Sequence, residues 1–314
     1  VGATVGYGQY SGAHLTVEFM QPNWRGNADR LRVAATFGTR RTSYRVGYFD
    51  RYIGESKTSM DLSAYRTTDR FEAYDQRIYG AESEFGRPLS DDLTGSTAVR
   101  GERVDFSGHE DDVETDMDGY PVVAARPMLS YDRRNDFSFP TSGYRIGGGF
   151  ETGYADGFMF KLLHSYEGYL RLNRDDLTYA YQHGIGLMPM DAEEIGLSER
   201  FFVGGSASLR GFRYKEVGPR DGGDDDLAIG GATMITQRHE LRYPFNDSIR
   251  GHIFTDAAIL EDGILELGTP RVGSGFGMSL DLGPLAVNVD FAVPVVKEDE
   301  DEAQYIHLRV GSRF

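Results

Sequence analysis

The 314-residue chain has no cysteine, a single tryptophan and no apolar run long enough to cross a bilayer as a helix. Without cysteine, neither a disulfide framework nor a thiolate metal centre can form. Without some 18 consecutive apolar residues, a membrane-spanning helix is excluded. Positive charge is also scarce, with 33 Lys and Arg against 49 Asp and Glu and a net charge of −16. No basic stripe exists to track a phosphate backbone, which argues against nucleic acid as a partner. The surplus acid reads mainly as solvated loop charge. A secretion signal is lacking as well, and Val1 already reads as strand, so a mature fragment is expected.

What the chain has in quantity is glycine (40 residues), tyrosine (19) and phenylalanine (19). Glycine exceeds its ordinary share of roughly 7%, and with aromatics it suits sheets with tight corners. The mean hydropathy of −0.44 does not exclude a membrane protein. A spanning strand needs only about 9–11 residues, and the half that face a lumen stay polar.

Alternation with a period of two runs through almost the whole chain. Leu31, Val33, Ala35 and Phe37 share one face, against Arg32, Ala34, Thr36 and Gly38. Val287, Val289, Phe291 and Val293 oppose Asn288, Asp290 and Ala292, while Phe158, Phe160 and Leu162 oppose Met159, Lys161 and Leu163. Strands such as Phe158–Leu172 and Leu93–Phe106 exceed the five or six residues usual in globular sheets. Short turns (Pro22–Asn27, Asn173–Asp176, Leu282–Leu285) alternate with long polar connections (Gly108–Gly119, Leu187–Gly231, Val296–Ala303), as in outer-membrane barrels. The last residue, Phe314, follows Ile306, Leu308 and Val310 on one face, with Ser312 interrupting it. The expected fold is therefore all-β: one transmembrane antiparallel β-barrel over residues 1–314. It has about sixteen strands, starting near 3, 13, 30, 43, 58, 73, 93, 121, 144, 158, 177, 233, 249, 271, 286 and 304. Lipid supplies no hydrogen-bond partners, so the sheet must close on itself.

One stretch narrows the reading. Within the long connection Leu187–Gly231 stands Gly204-Gly205-Ser206-Ala207-Ser208-Leu209-Arg210-Gly211-Phe212, followed by Val217-Gly218-Pro219 and Gly230-Gly231. Parity in the next strands turns Arg238, Glu240 and Arg242 inward beside outward Leu241 and Tyr243. It likewise turns Arg250, His252, Phe254 and Asp256 inward beside outward Ile249 and Ile253. Earlier, Tyr131-Asp132-Arg133-Arg134-Asn135 leads to Phe139-Pro140-Thr141-Ser142-Gly143, where Pro and Gly read as a tight turn.

The Arg-Gly-Phe loop, the Asp-x-Arg-Asn to Pro-Thr-x-Gly turn and the closing hairpin from Leu282 to Phe314 together resemble the BamA superfamily of outer-membrane assembly factors and translocators. The terminal aromatic strand is similar to the signal that bacterial outer-membrane proteins present to their assembly machinery. The resemblance is strongest from about residue 120 onward; earlier residues match only as strands. It implies an extracellular loop folded back into the lumen, with Arg210, Gly211 and Phe212 at its tip and Glu240, Phe254 and Asp256 receiving the arginine. It implies a periplasmic turn built on Asp132, Arg134, Asn135, Pro140 and Gly143. It further implies a bacterial outer-membrane insertase that folds client barrels through a lateral seam between the first and last strands.

The seam candidates are Gly2, Thr4, Gly6 and Gly8 on the first strand, where glycine weakens pairing, and Ile306, Leu308, Val310 and Phe314 on the last. Facing positions across the seam are expected at, for example, Thr4 and Leu308 or a neighbour in register. Partners implied are outer-membrane lipids, unfolded outer-membrane protein clients and accessory lipoproteins or other complex subunits. Soluble periplasmic repeats would precede the barrel. Alternatives are a sibling translocator (a TamA-like factor or two-partner secretion pore) and a passive diffusion channel.

No catalytic residue or cofactor is expected. No serine, histidine and acid stand at a recognisable spacing, and no glycine-rich nucleotide loop is present. His239 is predicted to point outward, and His252 inward beside Asp256. The acidic runs Asp224-Asp225-Asp226 and Glu298-Asp299-Glu300-Asp301-Glu302 lack the spacing of a calcium loop, so no metal site is assigned.

Overall fold

The computed structural model describes residues 1–8, 10–26, 29–72, 74–108, 117–172, 177–222, 227–282 and 285–312. Phe314, Asp224–Asp226, the turns at 173–176 and 283–284 and most of the connection 108–119 lie outside them.

Alternation of apolar and polar residues produces strands β1 (Gly2–Gly8), β2 (Gly12–Pro22), β3 (Arg30–Gly38), β4 (Arg41–Asp50), β5 (Ser59–Arg70), β6 (Asp75–Pro88), β7 (Leu93–Ser107) and β8 (Tyr120–Asp132). After them come β9 (Gly143–Ala155), β10 (Phe158–Arg171), β11 (Thr178–Leu187), β12 (Gly211–Phe212), β13 (Thr233–Pro244), β14 (Ile249–Glu261), β15 (Arg271–Asp281), β16 (Leu285–Val296), β17 (Ala303–Gln304) and β18 (Ile306–Ser312). Sixteen of them form one closed antiparallel barrel in which each strand pairs with its neighbours in sequence and β18 returns to β1. The other two, β12 and β17, make a separate two-stranded sheet inside the connections. Among the described residues the only helical segments are two single 3₁₀ turns, Ala192–Glu194 and Leu197–Glu199.

Side-chain parity follows the pattern. On β16, Phe291 (44% exposed) and Val293 (52%) face outward, while Asp290 (1%) and Ala292 (3%) are buried inside. Leu15, Val17, Phe19, Val33, Phe37, Val46, Ile253 and Phe276 continue the apolar outer belt around the wall. Glycine in the sheet permits close approach. A Cβ at Gly153 would collide with the Val123 carbonyl, and one at Gly149 with that of Pro127.

The connections divide between a loop end, which carries 188–232, 262–270 and 297–305, and an opposite turn end. The expected asymmetry in their lengths holds only in part. The loop end also has two-residue turns at 39–40 and 156–157, and the turn end has longer connections at 51–58 and 133–142. The lumen is occupied by packed side chains. One cluster (Val104, Tyr120, Val122, Ala124, Ala155, Met159) belongs to the wall. Another joins loop residues Val203, Leu209, Phe212 and Val217 to wall residues Ala258 and Leu260.

Candidate functional site

The connection between β11 and β13 folds back into the barrel. Its two limbs are tied by the Phe201–Gly231 bridge, with both backbone hydrogen bonds at 2.9 Å. Glycines with φ of +112° at Gly204, +81° at Gly205 and +97° at Gly211 turn the chain at the tip, a region where side-chain-bearing residues are strained.

At that tip Arg210 is 1% exposed. Its guanidinium forks onto Asp256, with Nε to Oδ2 at 2.7 Å and Nη2 to Oδ1 at 2.8 Å, and its backbone N–H also donates to Oδ2 at 3.1 Å. Nη2 lies 2.7 Å from Glu240 Oε1, and Nη1 lies 3.8 Å from Asp290. The guanidinium carbon sits 3.4 Å from the Phe254 ring centroid. Burial opposes the charge, but the hydrogen bonds and attraction of Asp256, with Glu240 and Asp290, outweigh it and raise the Arg210 pKa. Planarity lets one group satisfy a carboxylate and a ring together.

The tip also reaches along the wall to the closing strands. Gly211 N–H points to His307 Nε2 on β18 at 2.9 Å, and the same ring nitrogen lies 3.1 Å from the Gln304 carbonyl. β12 pairs with β17 immediately before the last strand, Gly211 opposite Gln304 and Phe212 opposite Ala303. Asp290, opposite His307 in the β16–β18 register, also accepts from His252 at 2.7 Å. Alternation alone places both residues inward, since His307 lies between outward Ile306 and Leu308. Their meeting with the loop has no signal in the sequence.

Gly273 on β15 is equally silent in the sequence, yet a Cβ there would run into the Arg210 carbonyl. Gly273→Ala is therefore expected to dislodge the tip and expose the loop to protease. Gly101→Ala, where a Cβ would meet nothing, should leave it protected. Equal resistance of the two variants would show that the close approach is dispensable.

A second anchor holds the base of the loop. Glu199, 6% exposed, accepts from Lys161 Nζ on β10 at 2.6 Å and from Arg100 on β7 at 2.6 and 3.1 Å. Arg100 also reaches Glu151 on β9 at 2.6 Å and pairs with Glu102. The loop is thus ion-paired to two parts of the wall, β13 and β14 at its tip and β7 and β10 at its base. Burial raises the Glu199 pKa, but Lys161 and Arg100 outweigh it and leave the carboxyl at about 2, against an ordinary 4.5. The folded value is depressed, so the stabilisation is present above pH 4.5 and is lost as pH falls toward 2. At 1.36 kcal/mol per unit it amounts to on the order of 3 kcal/mol. A nitroxide at Glu193 should become mobile across that window, and in Glu199→Gln it should be mobile already at neutral pH. A parent spectrum unchanged from pH 5 to 2 would remove this anchor.

The expected turn residues cluster at the turn end. Arg134 donates to Asp132 at 2.7–3.2 Å and to Glu167 at 3.2 Å. Asn135 Oδ1 accepts the N–H groups of Thr141 and Ser142, each at 2.9 Å. Pro140 is buried, and Gly143 (φ +92°) packs where a Cβ would strike the Arg133 carbonyl. These contacts brace the connection between β8 and β9.

At the seam, β1 and β18 share two register pairs among the described residues, Tyr7 with Val310 and Gly8 with Arg309. β1 shares seven with β2, and β18 seven with β16. Gly2, Thr4 and Gly6 pair with Glu18, Thr16 and His14 of β2, and Ile306 and Leu308 pair with Phe291 and Val289 of β16. The expected opposition of Thr4 and Leu308 is therefore incorrect. Barrel stagger offsets the two strands so that Val310 faces Tyr7.

Among the rival groups, His239 lies on the outer face, where its Nδ1 is 2.7 Å from the Tyr179 hydroxyl. Two acids of the second acidic run, Glu298 and Asp301, are paired with Arg271.

Residues 23–314 match the description "Omp85 superfamily domain". The chain belongs to the Omp85 superfamily. It is 26% identical to sorting and assembly machinery component 50 homolog A of Xenopus laevis over 337 residues, covering 93% of this chain and 68% of that protein. The structure of BamA from Haemophilus ducreyi lacking POTRA domains 1–3 superposes with a TM-score of 0.86 at 19% identity, covering 99% of this chain and 69% of that one. CdiB from Escherichia coli gives a TM-score of 0.72 at 15% identity, covering 99% of this chain and 62% of that one. This Omp85 barrel is thus an outer-membrane β-barrel similar to assembly factors and translocators.

Proposed function

We propose that this Omp85 barrel is the membrane domain of an assembly factor that inserts client β-barrels into a bacterial outer membrane. It acts by non-covalent templating rather than by enzymatic chemistry. The observation that carries the reading is the buried Arg210 tip gripping β14 and reaching β18, beside a seam paired at two positions among the described residues. Unpaired strand edges are costly in lipid. A thinly paired edge that parts offers its amides to an incoming strand by β-augmentation and lowers that barrier. The latch keeps the wall next to the seam in shape while the edge exchanges partners. Arg134, Asn135 and their neighbours brace the turn end. Clients are unfolded outer-membrane proteins; accessory lipoproteins or other subunits, and soluble repeats ahead of the barrel, complete the assembly.

The test is reconstitution of the full-length protein in lipid vesicles with a urea-unfolded client barrel. Faster appearance of heat-modifiable, folded client than in empty vesicles is expected. The likeness to CdiB favours a second reading, a translocator. It would show as polypeptide delivered across the vesicle wall without client folding. Large steady conductance with neither activity would mark a passive channel.

A further inference from the structure

The loop residues just past the latch bridge the two sides of the seam from inside the barrel. On the last-strand side, Arg213 N–H donates to the Glu302 carbonyl at 2.9 Å, and its guanidinium pairs with the Glu302 carboxylate. On the first-strand side, the same guanidinium pairs with Glu72 in the connection between β5 and β6. The next residue, Tyr214, stacks on Tyr10 in the turn that follows β1, with centroids 4.3 Å apart and planes at 27°. Tyr10 in turn stacks on Phe71 at 5.3 Å and lies under the Arg41 guanidinium at 5.7 Å. Two hydrogen bonds to Asp69, at 2.6 and 2.9 Å, fix that guanidinium. Lys215, held at φ +62°, sets its ammonium 4.1 Å from the Phe202 ring centroid and 4.9 Å from that of Phe71.

This bridge stands at a particular place. The two register pairs of the seam among the described residues, Tyr7–Val310 and Gly8–Arg309, are at its loop end, and Tyr10 stands two residues after Gly8 in the chain. The backbone pairing described for the seam is confined to that end, and side-chain contact across it adds to it there. A cavity of about 420 Å³ is lined from both sides, by Tyr10, Phe71 and Glu72 on one and by Arg213, Tyr214 and Glu302 on the other. The loop end is therefore held from within, by an aromatic stack and a shared guanidinium around a hollow.

We infer that Tyr214 and Tyr10 form a clasp that holds the loop end of the seam shut, and that this clasp sets how readily that end parts. The inference rests on the reading of the seam as the site of opening. It adds the residues that resist it. Both partners of the stack lie outside the spanning strands, so the clasp opens without unpairing any barrel strand. An aromatic pair of this geometry shifts an equilibrium by roughly two- to twelvefold, enough to change the open fraction several times over.

The absence of native cysteine allows clean double labelling. Nitroxides at Tyr7→Cys and Ile306→Cys, both on the outer face, report the seam distance in the full-length protein in vesicles. The parent is expected to give one short distance. Tyr214→Ala and Tyr10→Ala should each add a longer component. The double variant should add no more than either single one, and Tyr214→Phe should restore the short distance. Tyr214→Leu replaces Tyr214→Ala if the latter loses heat-modifiable folding. Unchanged distances in Tyr214→Ala (or Tyr214→Leu) and Tyr10→Ala would overturn the clasp, whether or not a seam disulfide blocks client insertion. A widened seam with unaltered client insertion would support the clasp while removing the opening mechanism.

Discussion

Arg210→Ala is expected to free the loop tip from the wall and to impair client insertion before it unfolds the barrel. The substitution leaves Asp256, 0% exposed at its side chain, without its main partner, while Glu240 loses one contact and keeps Arg242 at 2.6 Å. Removing one member of a buried ion pair costs about 3–5 kcal/mol. Arg238, with Nε 3.5 Å from Asp256, takes over part of the attraction, which places the cost in the lower half of that range. The loss falls on loop docking, because the sixteen-strand hydrogen-bond network does not pass through Arg210. Arg210→Lys should recover little. An ammonium cannot make the two-point fork onto Asp256, and it forfeits the face-on contact with Phe254. Asp256→Ala should resemble Arg210→Ala, since Glu240 and Asp290 retain only part of the guanidinium's partners. The measurements are protease accessibility of the loop, heat-modifiable mobility and client folding in vesicles. Parent-like behaviour of all three variants would detach the latch from function.

A disulfide across the seam should abolish insertion altogether. Tyr7 and Val310 stand directly opposite in register, and facing residues on antiparallel strands lie about 4.5–5.5 Å apart at Cα. That is within the span a disulfide bridges without strain. The introduced pair would be the sole cysteines of the chain. Oxidised Tyr7→Cys/Val310→Cys protein is expected to fold normally, insert no client and recover on reduction. The same bridge between Val17 and Ala35, opposite one another on β2 and β3, should leave insertion intact. Full activity of the oxidised seam variant would end the lateral-opening mechanism. Loss of activity in both would point to damage unrelated to the seam.

Much of the barrel is legible in the residues themselves. A period of two assigns each side chain to a face, so alternation alone puts Val287, Val289, Phe291 and Val293 outside and Glu240, Phe254, Asp256 and Asp290 inside. Strand starts follow from where alternation breaks at turn residues, and all sixteen lie within two residues of the structure. The connection after Asp132 is equally local, because Asn135 and Gly143 meet partners no more than ten residues away.

What alternation cannot carry is height. It fixes the face of a residue but not the level at which strands distant in sequence stand beside each other, which depends on the stagger that closes the barrel. For that reason Tyr7 meets Val310 rather than Thr4 meeting Leu308. For the same reason the loop tip finds His307 and the carbonyl of Arg210 needs Gly273. Glu199 and Tyr214 belong to a loop with no period at all, so only the folded path of residues 188–232 brings one to Arg100 and Lys161 and the other to Tyr10. The sequence by itself determined a closed barrel with a cationic loop tip and acids on the wall to receive it. The tertiary structure decided which strands that loop ties together, because ion pairs and stacked rings are set by where distant segments arrive and not by the residues next to them in the chain.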